Sequence, residues 1–181
     1  MSGMAGPVNR ASGKIYVKPS GIFLKNFSIQ DYINYLIYIL IVIKPNKMSS
    51  RLILIDGSAY IFRAYYGLPP MNRPDGTPIN AVFGFTNMLV KLIEDYREDK
   101  MIVVFDAARE NFRNEIFKDY KANRGETPED LIPQFEIIRE CVDAFNIPQI
   151  EIQGYEADDI IATYCQLSHK EKIQSIIVSS D

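Results

Sequence analysis

Histidine is almost absent from this sequence: His169 stands alone, followed by Lys170 in a polar stretch. A zinc centre or a histidine general base therefore has very little to stand on. Cysteine is nearly as scarce. Cys141 and Cys165 show neither metal-ligand spacing nor a disulfide framework, which fits a reducing, cytoplasmic setting, and both fall in helical patterns as small apolar residues. Positive charge is not in excess, since 20 Lys and Arg against 23 Asp and Glu leave a net −3 at pH 7. The surface as a whole is not built to grip a polyanion, so any nucleic-acid contact must come from a local basic patch. Also missing is a run long enough to cross a bilayer. The apolar run over 32–43 is about 12 residues long and is interrupted by Asn34, whereas a span needs about 20. Asp31 before it, and Lys44, Pro45, Asn46 and Lys47 after it, do not make a secretory signal. No membrane partner is expected. What remains, 47% hydrophobic and 24% charged over 181 residues, is the composition of an ordinary globular domain with a real core.

Residues 1–47 read differently from the rest, and the compact domain is expected to begin at Met48. The first part is taken as an extension outside that domain; an added helix or strand, or a membrane-surface contact, are the alternatives. From Arg51 a theme repeats. Four short apolar, β-branched runs, over 52–55, 101–105, 148–152 and 175–178, each end at turn residues, as buried strands do. Between them lie helical patterns. Residues 79–94 put Val82, Phe85, Leu89, Leu92 and Ile93 on one face, and 157–167 put Ile160, Ile161, Tyr164 and Leu167 inward. Thr127 is read as an N-cap, with Pro128 at the first helical position and Glu129 and Asp130 in the first turn, leading into 131–145. Pro133 lies too deep in that helix to be harmless, which predicts a kink or a later start. Strands alternating with helices predict an α/β fold with a mainly parallel sheet between helical layers.

Such sheets bind ligands beyond the carboxyl ends of their strands. Asp56, Asp106, Glu156, Asp158, Asp159 and Asp181 follow four different strands and are therefore expected at one rim. Gly154, Tyr155, Glu156, Ala157, Asp158 and Asp159 pack three acids within four residues. Acids at a helix start are ordinary, each worth about 0.3–1 kcal/mol against the dipole, but three together repel unless a cation sits among them. An all-oxygen set favours Mg²⁺ or Mn²⁺. Independent turn and cap acids are the alternative. The connection over 107–126 interleaves Arg109, Arg113, Lys118, Lys121 and Arg124 with Phe112, Phe117 and Tyr120. That mixture suits a nucleic-acid strand, with cations on phosphates and rings on bases. A solvated amphipathic helix, helped by Glu110, Glu115 and Asp119, is the alternative.

Several of these stretches together resemble a known family, the 5′ nuclease domain at the front of bacterial DNA polymerase I, related to flap endonucleases. The matching residues are Leu54, Ile55, Asp56, Gly57 and Ser58 with Tyr60 and Arg63; Val104, Phe105, Asp106 and Ala107; Phe112 and Arg113; Tyr120, Lys121 and Arg124; Thr127, Pro128, Glu129 and Asp130; and Gly154 through Ile160. The resemblance implies a three-layer, PIN-like 5′ nuclease fold, with Asp56, Asp106, Glu156 and Asp158 catalytic and ligating a first metal. Asp159 and Asp181 would serve the metal site too, which holds two Mg²⁺ or Mn²⁺ ions in the complete domain. It further implies Arg113, Tyr120, Lys121 and Arg124 as DNA-binding residues, a DNA partner with a single-stranded 5′ end or flap, and a role in replication and repair. Since the family continues past the position of Asp181, a truncated fold, incomplete at that end, is expected here. The alternatives are a non-catalytic DNA-binding remnant, or half of a split nuclease that docks with a separately encoded remainder. An RNA-cleaving relative stays open, because nothing in the basic-aromatic connection must read a 2′-hydroxyl. A haloacid-type phosphatase fits poorly, because Asp56, Gly57 and Ser58 lack its second acid.

Overall fold

The structure, a computed structural model, describes residues 15–17, 51–107 and 125–180. Its centre is a five-stranded sheet in the order β1-β4-β3-β2-β5, formed by β1 (Ile15–Val17), β2 (Leu52–Asp56), β3 (Lys100–Phe105), β4 (Gln149–Ile152) and β5 (Ser175–Val178). The strands β5, β2, β3 and β4 run parallel, in a register that sets Ile55 beside Val178, Asp56 beside Val104 and Phe105 beside Glu151. β1 alone is antiparallel, with Ile15 opposite Ile152 and Val17 opposite Ile150. Three residues of the expected extension thus form an edge strand of the sheet.

Four described helices cover the two faces: α1 (Gly57–Gly67), α2 (Asn80–Asp95), α3 (Ile132–Ala144) and α4 (Ala157–Lys170). Alternation along the strands sorts the core into two layers. Leu52, Leu54, Ile102, Val104, Ile150 and Ile152 point to α4, where Ile160, Ile161 and Tyr164 meet them. Ile53, Ile55, Val103 and Phe105 point the other way, to Ile61, Ala64, Phe85, Leu89, Ile138 and Val142 on α1, α2 and α3. Every residue of β2 is buried, as a parallel strand covered on both faces must be. Each such Leu or Ile contributes roughly 1.5–3 kcal/mol.

Two elements depart from the sequence pattern. Asp56, Gly57 and Ser58 read only as a turn, yet the chain passes from β2 directly into α1, because Asp56 is both the last strand residue and the N-cap, accepting from the Ala59 N–H at 2.9 Å. Thr127 is not an N-cap. Residues 125–128 are irregular and the helix begins at Ile132, where Pro133 falls harmlessly in the first turn. The later start, rather than a kink, is what the proline produces; Leu131, fully buried, holds the turn before it.

Candidate functional site

The helices after β2 and β3 lie on one face of the sheet and the helix after β4 lies on the other. The described helices that follow β3 and β4 thus lie on opposite faces, the arrangement in which a parallel sheet forms its ligand crevice between two neighbouring strand ends. Asp106 follows β3, and Glu156, Asp158 and Asp159 follow β4, one on each side of that crevice. Asp56 ends β2, the other neighbour of β3. Gly154, at φ +89°, makes the turn from β4 that an L side chain would strain.

Asp56, Asp106, Glu156 and Asp159 are each held by the helix they introduce or face. Asp56 is 7% exposed. One of its carboxylate oxygens accepts from Ala59 N and the other from the Ser179 hydroxyl at 3.3 Å. Burial pushes the pKa of Asp56 up, and the charges of Asp106 and Asp158 push in the same direction, against the hydrogen bonds from Ala59 and Ser179. Asp106 reaches across the crevice, its Oδ1 accepting from the N–H of Ala157, the first residue of α4, at 2.7 Å. Its own backbone N–H donates to Ser58 Oγ at 2.8 Å. Glu156 is buried and is the N-cap of α4, paired with Asp159 in a reciprocal capping box in which the Glu156 N–H donates to Asp159 Oδ2. Asp158 is exposed in the same first turn.

The structure therefore gathers Asp56, Asp106, Glu156, Asp158 and Asp159 at one rim, drawn from three strand ends, and brings Asp106 and Asp158 within electrostatic reach of Asp56. Among the described residues no three His, Cys, Asp or Glu side chains converge closely enough to hold an ion as they stand. Asp56, Asp106, Glu156 and Asp159 are instead turned onto backbone N–H groups. The donor set nonetheless fits a hard divalent cation. It is all oxygen, and it includes a buried carboxylate whose charge is disfavoured by burial and by the neighbouring acids, a condition that a cation relieves. Asp181, Arg113, Tyr120, Lys121 and Arg124 lie outside the described residues.

Sequence reasoning missed Ser58 and Ser179 as members of the site. Ser58 stands two residues past β2, in a stretch that carries the family resemblance, and Ser179 directly follows β5, but which acid each meets depends on strand order. It also missed Gly57 as a packing requirement: a Cβ there would lie 2.4 Å from the Phe105 ring and 2.8 Å from Val103 Cγ1, so only glycine lets α1 start against β3. No helix among the described residues is long and apolar enough to cross a membrane.

A doubly wound α/β sheet with an all-carboxylate rim at its switch point defines the class. The chain belongs to the family described as 5′-3′ exonuclease, N-terminal resolvase-like domain, which matches residues 51–181. It is 49% identical over 143 residues to DNA polymerase I of Rhizobium leguminosarum, a match covering 75% of this chain and 14% of the polymerase. To DNA polymerase I of Bacillus caldotenax it is 41% identical over 134 residues, 74% of this chain and 15% of that one. It is 40% identical over 128 residues to a 5′-3′ exonuclease of Aquifex aeolicus, 68% of this chain and 44% of the other. The chain thus spans about one seventh of the polymerases and under half of the exonuclease that it matches. Its three-layer, PIN-like fold is shared with two solved structures, the T5 D15 protein co-crystallised with metal ions and the T5 5′-exonuclease with bound zinc. Each has a TM-score of 0.53, at 23% and 24% identity, covering 72% of this chain and 48% and 49% of theirs.

Proposed function

We propose that this chain carries the metal-binding rim of a 5′-3′ exonuclease, or structure-specific 5′ flap endonuclease, acting on DNA in replication and repair. The observation that carries the reading is the approach of Asp106 and Asp158, from two further strand ends, to the buried Asp56, whose pKa is raised by burial and, in the same direction, by these two charges. Asp56, Asp106, Glu156 and Asp158 would hold a first Mg²⁺ or Mn²⁺, with Asp159 and Asp181 toward a second. Bound there, the metal supplies charge neutralisation at the scissile phosphate and a lowered pKa for an attacking water. The protein's own part is to fix the oxygens. Asp56 is held by the α1 start, Asp106 by the first N–H of α4, and Glu156 by its capping box. Arg113, Lys121 and Arg124 would meet phosphates and Tyr120 a base, placing a single-stranded 5′ end or flap beside the acids.

The test is cleavage of a 5′-flap DNA by this chain, assayed alone and together with the remaining part of a 5′-3′ exonuclease domain supplied as a second polypeptide. The expected outcome is cutting in Mg²⁺ and none in chelator, in at least one of the two arms, lost in Asp106→Asn and in Glu156→Gln. Cutting that survives Asp106→Asn, or its absence from both arms, overturns the reading.

A further inference from the structure

We infer that Ser58 is a positioning residue, whose hydroxyl sets Asp106 at the correct distance from Asp56 for a shared divalent cation. The inference rests on the metal-dependent reading above and names a residue that it does not contain. It begins with strand alternation. The N–H of Val103 is given to the Pro148 carbonyl on the β4 side. Successive N–H groups of a strand point to opposite neighbours, so that of Asp106, three residues on, faces the β2 side. There β2 has ended: its last residue, Asp56, pairs with Val104, and Gly57 already belongs to α1. Helical carbonyls run along the helix axis, so β2 has no ladder acceptor to offer. Ser58 Oγ, at 2.8 Å from Asp106 N, takes that place.

The consequence is a rigid link between two acids on different strands. Asp56 is locked to the first turn of α1 through Ala59 N, and Ser58 belongs to the same turn. That turn is pressed on β3, since no Cβ fits between Gly57 and the Phe105 ring. Asp106 is then fixed twice, its backbone by Ser58 on α1 and its carboxylate by Ala157 on α4. A partly buried N–H that loses its acceptor turns toward another one, and Asp106 turns with it. Groups that orient metal ligands without touching the metal are typically worth 10–100-fold in affinity.

Mn²⁺ binding to the full 181-residue chain, followed by electron paramagnetic resonance of the free ion, tests this directly, with thermal unfolding in chelator as the control. Ser58→Ala is expected to weaken Mn²⁺ binding about tenfold. Ser58→Thr, which keeps the acceptor oxygen, is expected to bind like the parent. A merely structural role would lower the melting temperature of Ser58→Ala in chelator and leave Mn²⁺ affinity alone. Equal affinity in the parent and Ser58→Ala overturns this inference by itself, as does a Ser58→Thr variant as weak as the alanine. A parent chain that binds no Mn²⁺ overturns the metal reading and this inference with it.

Discussion

Asp56 does three things at one position: it closes a buried strand, caps a helix and faces two other acids. The cap favours its carboxylate, whereas burial and the neighbouring charges oppose it more strongly, so its folded-state pKa stands above the ordinary 3.8. For an acid raised in this way, the charged form costs stability at every pH above the folded value. That cost disappears as pH falls through the folded value toward 3.8. Asparagine caps a helix as well as aspartate and carries no charge. Asp56→Asn is therefore expected to melt higher than the parent at pH 7 in chelator, with the difference shrinking as the pH is lowered toward 4. A variant less stable than the parent at pH 7 in chelator would show that the hydrogen bonds from Ala59 and Ser179 dominate instead. The acids themselves were legible in the sequence, because an Asp or Glu straight after a β-branched run has a known place in an α/β sheet. Ser58 and Ser179 were not, since which acid each would meet is set by register and strand order, not by anything in their immediate neighbourhood.

Among the elements, α2 shows most clearly what a local pattern can and cannot say. Its apolar face was readable, and the helix runs over Asn80–Asp95 as the spacing of Phe85 and Leu89 predicts. Its start, read at residue 79, falls within one residue of the observed one, but what caps it was not readable, because Ile79 provides no side-chain cap and the cap comes from another helix. Gln134 of α3, fully buried, accepts from Ala81 N at 2.8 Å and from Val82 N at 3.2 Å, and donates to Asn80 Oδ1 and the Asp130 carbonyl, both at 2.9 Å. Asn80 in turn donates to the Tyr65 carbonyl of α1, and the Tyr65 hydroxyl donates to Asp130, a bond that pushes the phenol up to about 12. Two side-chain amides, Gln134 and Asn80, thus tie three helices to the turn before α3. The run from Thr127 to Asp130 looked like a helix start because it has the right residue types, but the Asp130 side chain is engaged by Tyr65 across the layer, and its carbonyl by Gln134 four residues on. Gln134→Met, similar in size but without the bonds, is expected to cost roughly 2–3 kcal/mol, since it strands buried donors. Gln134→Glu keeps the acceptor for Ala81 and Val82 and should fall between. Urea midpoints at constant m check both; a Met variant within about 0.5 kcal/mol of the parent would show the network to be incidental.

For the molecule as a whole, the rim is a place where three strand ends from both helical layers meet, so a cation bound there would hold the layers together. Any ligand that binds only the folded chain stabilises it, by about 2.7 kcal/mol at a hundredfold excess over its Kd. A higher melting temperature in millimolar Mg²⁺ or Mn²⁺ than in chelator is expected, and Asp106→Ala combined with Glu156→Ala should remove most of the increment. An unchanged melting temperature across a metal titration would argue against a formed site.

The strand order has one further consequence, in time. β5 pairs with β2, not with the strand that precedes it, so the Ser179 hydroxyl meets an aspartate that lies 123 residues earlier in the chain. At the usual 5–20 residues per second, a ribosome needs roughly 6–25 s to make the stretch between them. During that interval β2, an interior strand of the finished sheet, keeps at least one bare edge, and Asp56 waits without its second hydrogen bond. The rim thus takes its final form only when the last described strand arrives, so a nascent chain exposes a strand that the finished fold buries completely well before it assembles its acids.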